Sequence, residues 1–271
     1  MSWNAIARKD FSDAIRAWSL LTLSALFVLF AAAAAALYGL LGGGQGGVAG
    51  LVNFVGGPAG LFVSITALVV GHRAIVGERE SGSLKLLMGL PHTRAEVLLG
   101  KVVGRTLVVV APLLAGFVVA AVVAAALYAQ FSLAAYAVFV ALTCIFALAY
   151  VSVAVSISTL TASGARATAG AVAFWVLAQF LWGVLPVVVF LALRNGLGMA
   201  NLPMGPFQFV AALSPAQAFG TATNLVTGAA APPGAPTPFY SEPWFGLLVL
   251  WAWVVLPVLV GYWRFESADL S

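Results

Sequence analysis

Glu78 and Glu80 stand in the most chemically varied stretch of the chain, Gly77-Glu78-Arg79-Glu80-Ser81-Gly82-Ser83-Leu84-Lys85-Leu86-Leu87-Met88-Gly89-Leu90-Pro91-His92-Thr93-Arg94. The chemistry these types offer is recognition rather than bond-making. Ser81 or Ser83 can cap a helix start, and Leu84, Leu87 and Met88 then recur at i, i+3 and i+4 to make one apolar face. Gly89, Leu90 and Pro91 end that turn. Thr93 and Glu96 have the spacing of a capping box, which predicts a new helix from about Arg94. A short amphipathic helix of this kind needs a cover for its apolar face. Lipid supplies one cover, with the bases towards anionic headgroups. A soluble protein supplies another, and the two acids favour it, because carboxylates near an anionic surface need basic partners. Those partners would come from another protein or from Arg8, Lys9 and Arg16 of this chain.

Bond-making chemistry finds little support. Gly100-Lys101 is followed by Val102, and position 95 is alanine, so the phosphate-binding loop with a hydroxyl after its lysine is not met. His72, His92, Cys144, Met199 and Met204 are scattered, whereas soft-metal handling needs grouped ligands. No catalytic residue, metal ligand or cofactor site is assigned to this chain, and one cysteine permits no internal disulfide. The chain is not an enzyme by itself.

The elements that carry this stretch follow from composition. Of 271 residues, 63% are hydrophobic and only 7% charged, against roughly 45–50% and about 25% in soluble domains. That excludes a soluble globule and a disordered chain, and the net charge of +4 needs no nucleic acid. A spanning helix takes about 20 mostly apolar residues, and six stretches qualify: Trp18–Leu41, Pro58–Val76, Val102–Tyr128, Leu133–Leu160, Ala167–Leu193 and Trp244–Trp263. With both termini in the cytoplasm, eleven of the twelve bases fall inside and only Arg194 outside, as the positive-inside rule requires. The first run exceeds a signal-peptide core and reads as an uncleaved anchor. The expected architecture is all-α: one transmembrane domain over 1–271, with an interfacial helix at 1–17, a cytoplasmic loop at 77–101 and an outer loop at 194–243.

Outside, Gly42–Gly57 reads as a glycine-rich connection and Ala129–Ser132 as a tight turn. In the long outer loop, Ser214-Pro215 reads as an N-cap with proline at the first helical position, predicting a short helix over Ser214–Leu225. The proline-rich run Pro232–Pro238 predicts an extended connector. Gly100 and Gly104, spaced GxxxG, permit close helix approach.

Glu78-x-Glu80-x-Gly82-Ser83-Leu84, Leu86-Leu87, Leu90-Pro91-x-x-Arg94 and Gly100-Lys101, with the opening Ala7-Arg8-Lys9-Asp10-Phe11, Asp13 and Arg16, resemble the signature of ABC-2-type permeases. Within that family the chain is similar to the branch that assists nitrous-oxide reductase maturation. The resemblance implies the membrane subunit of an ATP-driven exporter in a prokaryotic plasma membrane. It implies two copies of a cytoplasmic ABC ATPase, which would carry the ATP and Mg, and a second permease copy as homodimer partner, all surrounded by lipid. Residues Ser81–Leu90 would be the main coupling helix, with Glu78 and Glu80 anchoring it, Leu84, Leu87 and Met88 buried in the ATPase, and Pro91, Arg94 and Arg166 nearby. Thr161–Arg166 would be a second, smaller contact. Residues Ala5–Trp18 would form an interfacial helix with Ile6, Phe11, Ile15 and Trp18 towards lipid and Arg8, Lys9, Asp10 and Asp13 towards water.

The spans carry no charge at mid-depth, which argues against an ion-coupled carrier or voltage sensor. Ser64, Thr66, Thr143 and Ser158 are expected to bond neighbouring backbone, while Gln179 and the Ser152, Ser156, Thr159 stripe are candidates for a substrate path. Uncharged spans favour a lipid-like or amphipathic cargo. A scaffold that recruits a partner without transport, and a channel, are the rival readings, the latter disfavoured by the missing polar pore stripe.

Overall fold

The computed structural model describes residues 3–83, 93–228 and 237–266. All the regular elements among these are helices, and six are long and apolar enough to cross a membrane. An amphipathic helix α1 (Trp3–Arg16) precedes the first span, α2 (Ser19–Leu40). The break between them falls at Trp18, a non-glycine residue at φ 59°. The second span is α3 (Gly47–Gly71), followed after a turn by the short helix α4 (Val76–Glu80). The third and fourth spans are α5 (Arg94–Leu127) and α6 (Leu133–Leu160). The fifth joins α7 (Gly164–Val176) to α8 (Trp182–Leu191) through a π-helical segment, Leu177–Leu181, and ends in another, Ala192–Gly196. Two outer helices, α9 (Gly205–Ala212) and α10 (Pro215–Thr227), lead to the sixth span, α11 (Pro243–Glu266).

The α6 span is the most buried of the six and α2 and the fifth span the least. Its Phe139, Phe146 and Tyr150 form the aromatic centre, and Phe146 stacks 4.6 Å from Phe219 of the outer helix α10. Small residues set the helix spacing where apolar attraction between helices is weak. A Cβ at Gly246 would stand 2.5 Å from the Ala218 carbonyl, and one at Gly116 would stand 2.7 Å from that of Phe27. The expected packing role of Gly100 and Gly104 is met by α1: a Cβ there would come within 2.7 Å of Ile6 and 2.9 Å of Asp10.

Several boundaries move. The second span begins at Gly47, not at Pro58, so most of the stretch read as an outer connection is helical. Glycine lowers helix propensity in water, but a span has no water for its backbone, and internal pairing decides. The expected helix at Ser214–Leu225 is present, capped by Ser214 Oγ on the Gln217 N–H. Helix α9 and both π segments were not anticipated. The Pro232–Pro238 connector falls almost entirely outside the described residues, as do Leu84, Lys85, Leu86, Leu87, Met88, Gly89, Leu90, Pro91 and His92.

Candidate functional site

The cytoplasmic end of the bundle holds the charged site. Lys101, in the second turn of α5, is 1% exposed at its side chain and places Nζ 2.7 Å from Asp10 Oδ1 and 2.5 Å from Glu78 Oε1. Arg105, one turn on, brings Nε to 3.1 Å from Asp10 Oδ2, and Lys9 Nζ approaches Glu78 Oε1 at 3.9 Å. Three separate stretches thus meet on one ammonium: the N-terminal helix, the root of the loop at 77–101, and the third span. Coulomb attraction is strong at such separations where water is excluded, and an ammonium with three donors can serve two carboxylates at once.

These contacts correct the sequence reading of α1. Asp10 does not face water; it is 4% exposed at its side chain and bound to α5. Ile6 does not face lipid; it is buried in the space left by Gly100. Ile15 and Trp18 are exposed as expected, and so are Arg8, Lys9, Asp13 and Arg16. The main partner of Glu78 is Lys101 rather than the α1 bases.

Glu80 pairs elsewhere. Its Oε2 lies 2.9 Å from Arg73 Nη2 and its Oε1 accepts the Gly164 N–H at 2.6 Å. Gly164 opens α7, so the carboxylate sits on the positive end of a helix dipole. The backbone hydrogen bond, then Arg73, hold the Glu80 carboxyl below the usual carboxylate range. The contact is therefore formed with charged Glu80 through neutral pH and weakens as the pH falls through that depressed value. Arg79 Nη1 donates to the Thr161 carbonyl at 3.1 Å. Ser158 Oγ, at the inner end of α6, accepts the N–H groups of Ile75 and Val76, both at 3.0 Å. The root of the first cytoplasmic loop is thereby tied to the second loop, Thr161–Arg166, and to α6. Replacing Ser158 by valine leaves two buried N–H groups unpaired, at about 1–3 kcal/mol each. Thermal unfolding in detergent should show that loss, and Ser158→Thr should restore most of it.

The remaining residues named from sequence are placed apart. Ser81 and Ser83 hydroxyls lie 2.9 Å from each other and donate to the Glu78 carbonyl, closing the end of α4. Gly82 follows at φ +76°, a turn that favours glycine. Thr93 and Glu96 form the anticipated capping box. Arg94 donates to the carbonyls of Phe265 and Glu266 and lies over the Phe265 ring, pinning the inner end of α11. Arg166 is exposed. Ser152, Ser156 and Thr159 are buried, and the last two lie against α11, where a Cβ at Gly261 would meet both. Gln179, in the first π segment, donates to Ser64 Oγ at 2.8 Å and Tyr150 OH at 2.9 Å, and Trp175 Nε1 donates to the same serine. It also borders an outer cleft of about 280 Å³ with Asn53, Thr223 and Asn224. Among the described residues no group of three or more His, Cys, Asp or Glu side chains could hold a metal ion.

Sequence reasoning missed Lys101 as the hub and Asp10 as its partner. The signal available was a lysine and an aspartate each set on a face that also carries small or apolar residues, which marks them for burial.

A six-span bundle with a charged junction at its basic end defines a multi-pass membrane protein, and comparison with known proteins places it. Residues 4–270 match the family described as ABC-2 family transporter protein. The chain belongs to this family and is a permease subunit of an ABC transporter; membership implies an ABC ATPase as partner. It is 28% identical over 279 aligned positions, 96% of each chain, to the "Probable ABC transporter permease protein NosY" of Pseudomonas aeruginosa. It is 34% identical over 127 residues to the protein of the same name from Stutzerimonas stutzeri, an alignment covering 46% of each chain.

Proposed function

We propose that this chain is the membrane half of an exporter, in which a cytoplasmic ATPase pair drives a permease homodimer through the loop at 77–101. The observation that carries this reading is the clamp at the loop's root. Glu80 and Arg79 join it to the second cytoplasmic loop, Ser158 joins it to the fourth span, and Lys101 joins it to α1 and the third span. A push on such a loop is delivered to several spans together, because each tie is short and mostly water-excluded. A free surface loop would dissipate it. The permease names of both relatives support the permease part of this reading. The chain's task is mechanical: it binds no nucleotide and converts the approach of two ATPases into motion of its spans.

Cysteines introduced at Ser81 and at Ala165, with Cys144 replaced by alanine, test the assignment. In native membranes both positions should crosslink to one ATPase subunit, while a cysteine at the outer Gln217 should not. No crosslink from either inner position would remove the ATPase-coupling reading.

A further inference from the structure

Beside the Lys101 junction lies a cleft of about 600 Å³, bordered by α1, the start of the first span, the inner end of the second and the third. Its lining changes character with depth. Leu23, Val69 and Val108 belong to the spans and offer an apolar wall, while Asp13, Arg73 and Arg105 add charged groups to the same lining. Charge accounting leaves a specific remainder. Asp10 and Glu78 are matched by Lys101 and Arg105. Asp13 is exposed and has no ion pair among the described residues. Arg105 is engaged in a salt bridge through Nε alone and is 29% exposed at its side chain; Arg73 is 59% exposed and reaches Glu80 through Nη2. The cleft therefore offers spare guanidinium donors and one spare carboxylate above an apolar wall.

We propose that this cleft seats the headgroup of an inner-leaflet aminophospholipid, with the phosphate on Arg105 and Arg73, the primary ammonium on Asp13, and the acyl chains along Leu23, Val69 and Val108. Guanidinium forks suit phosphate oxygens, and a carboxylate distinguishes a primary ammonium, which donates hydrogen bonds, from a quaternary one, which does not. An anionic lipid without an amine leaves Asp13 facing like charge. The lipid would brace α1 against the second and third spans at the junction that Lys101 closes from the other side. This inference rests on the membrane setting and on the cleft, and is independent of the ATPase assignment.

Native mass spectrometry of the full chain, released from nanodiscs holding equal phosphatidylethanolamine, phosphatidylcholine and phosphatidylglycerol, tests it. The expected result is one retained phosphatidylethanolamine, preferred over phosphatidylcholine by about tenfold or more. Asp13→Asn, at an exposed position where folding is undisturbed, should erase that preference, and Arg105→Gln should lower retention of every phospholipid. Soluble phosphoethanolamine at millimolar concentration should not displace the lipid. Equal retention of the three lipids, an unchanged preference in Asp13→Asn, or full displacement by phosphoethanolamine would each overturn the proposal.

Discussion

Replacing Lys101 by methionine should be among the most damaging single changes in the bundle. The side chain is 1% exposed and pairs with Asp10 and Glu78 at once. Methionine fills nearly the same volume but leaves Asp10 with Arg105 alone and Glu78 with only the distant, exposed Lys9, at 3.9 Å. Removing one partner of a buried ion pair costs about 3–5 kcal/mol, which corresponds to a fall on the order of 10 °C in Tm for a chain of this size. Arg105 can still reach Asp10, so Glu78 carries most of the penalty. Thermal unfolding of the detergent-purified variant measures the loss. The triple replacement Asp10→Asn, Glu78→Gln, Lys101→Met removes all three charges and should recover much of the stability. A single variant as stable as the parent, or a triple variant no better than the single, would show that the three charges do not act as a unit.

The second large effect is expected at Leu87. The spacing of the loop sequence would set it with Leu84 and Met88 on one apolar helix face. A central apolar side chain in a small docking surface carries a disproportionate share of affinity. An aspartate there must lose its hydration or hold the surfaces apart. Leu87→Asp should weaken ATPase association by at least about 100-fold, on the order of 3 kcal/mol. Membrane insertion and Tm should stay at the parent values, because the Lys101 junction and the Ser158 tie lie at the loop's root. Undiminished pull-down of the ATPase by that variant would take the coupling role away from this face.

What the sequence made legible follows the range of the interactions concerned. Six apolar runs announced six spans, and the Thr93/Glu96 and Ser214-Pro215 signals located helix starts to the residue, because capping is settled within four positions. Gly100 and Gly104 announced a close helix approach without naming the partner. Asp10 and Lys101 are 91 residues apart, and no local pattern pairs them. The same distance hid the burial of Ile6 and Asp10, which an isolated amphipathic helix would have given to lipid and water. The early start of α3 was hidden by its glycines, whose cost is set by the solvent the backbone would otherwise meet. The π segment around Gln179 has no sequence signature; it is stabilised where the amide finds Ser64 on the second span and Tyr150 on the fourth.

If this permease works with a separate ATPase held on its cytoplasmic loops, the two should leave the native membrane together in mild detergent. One ATPase subunit per permease chain is expected in the purified complex, identified by mass spectrometry and quantified by subunit ratio, and none in the Leu87→Asp preparation. A chain that purifies without any ATPase across several mild detergents would contradict that expectation, and the loop at 77–101 would then be a lipid-lying surface element.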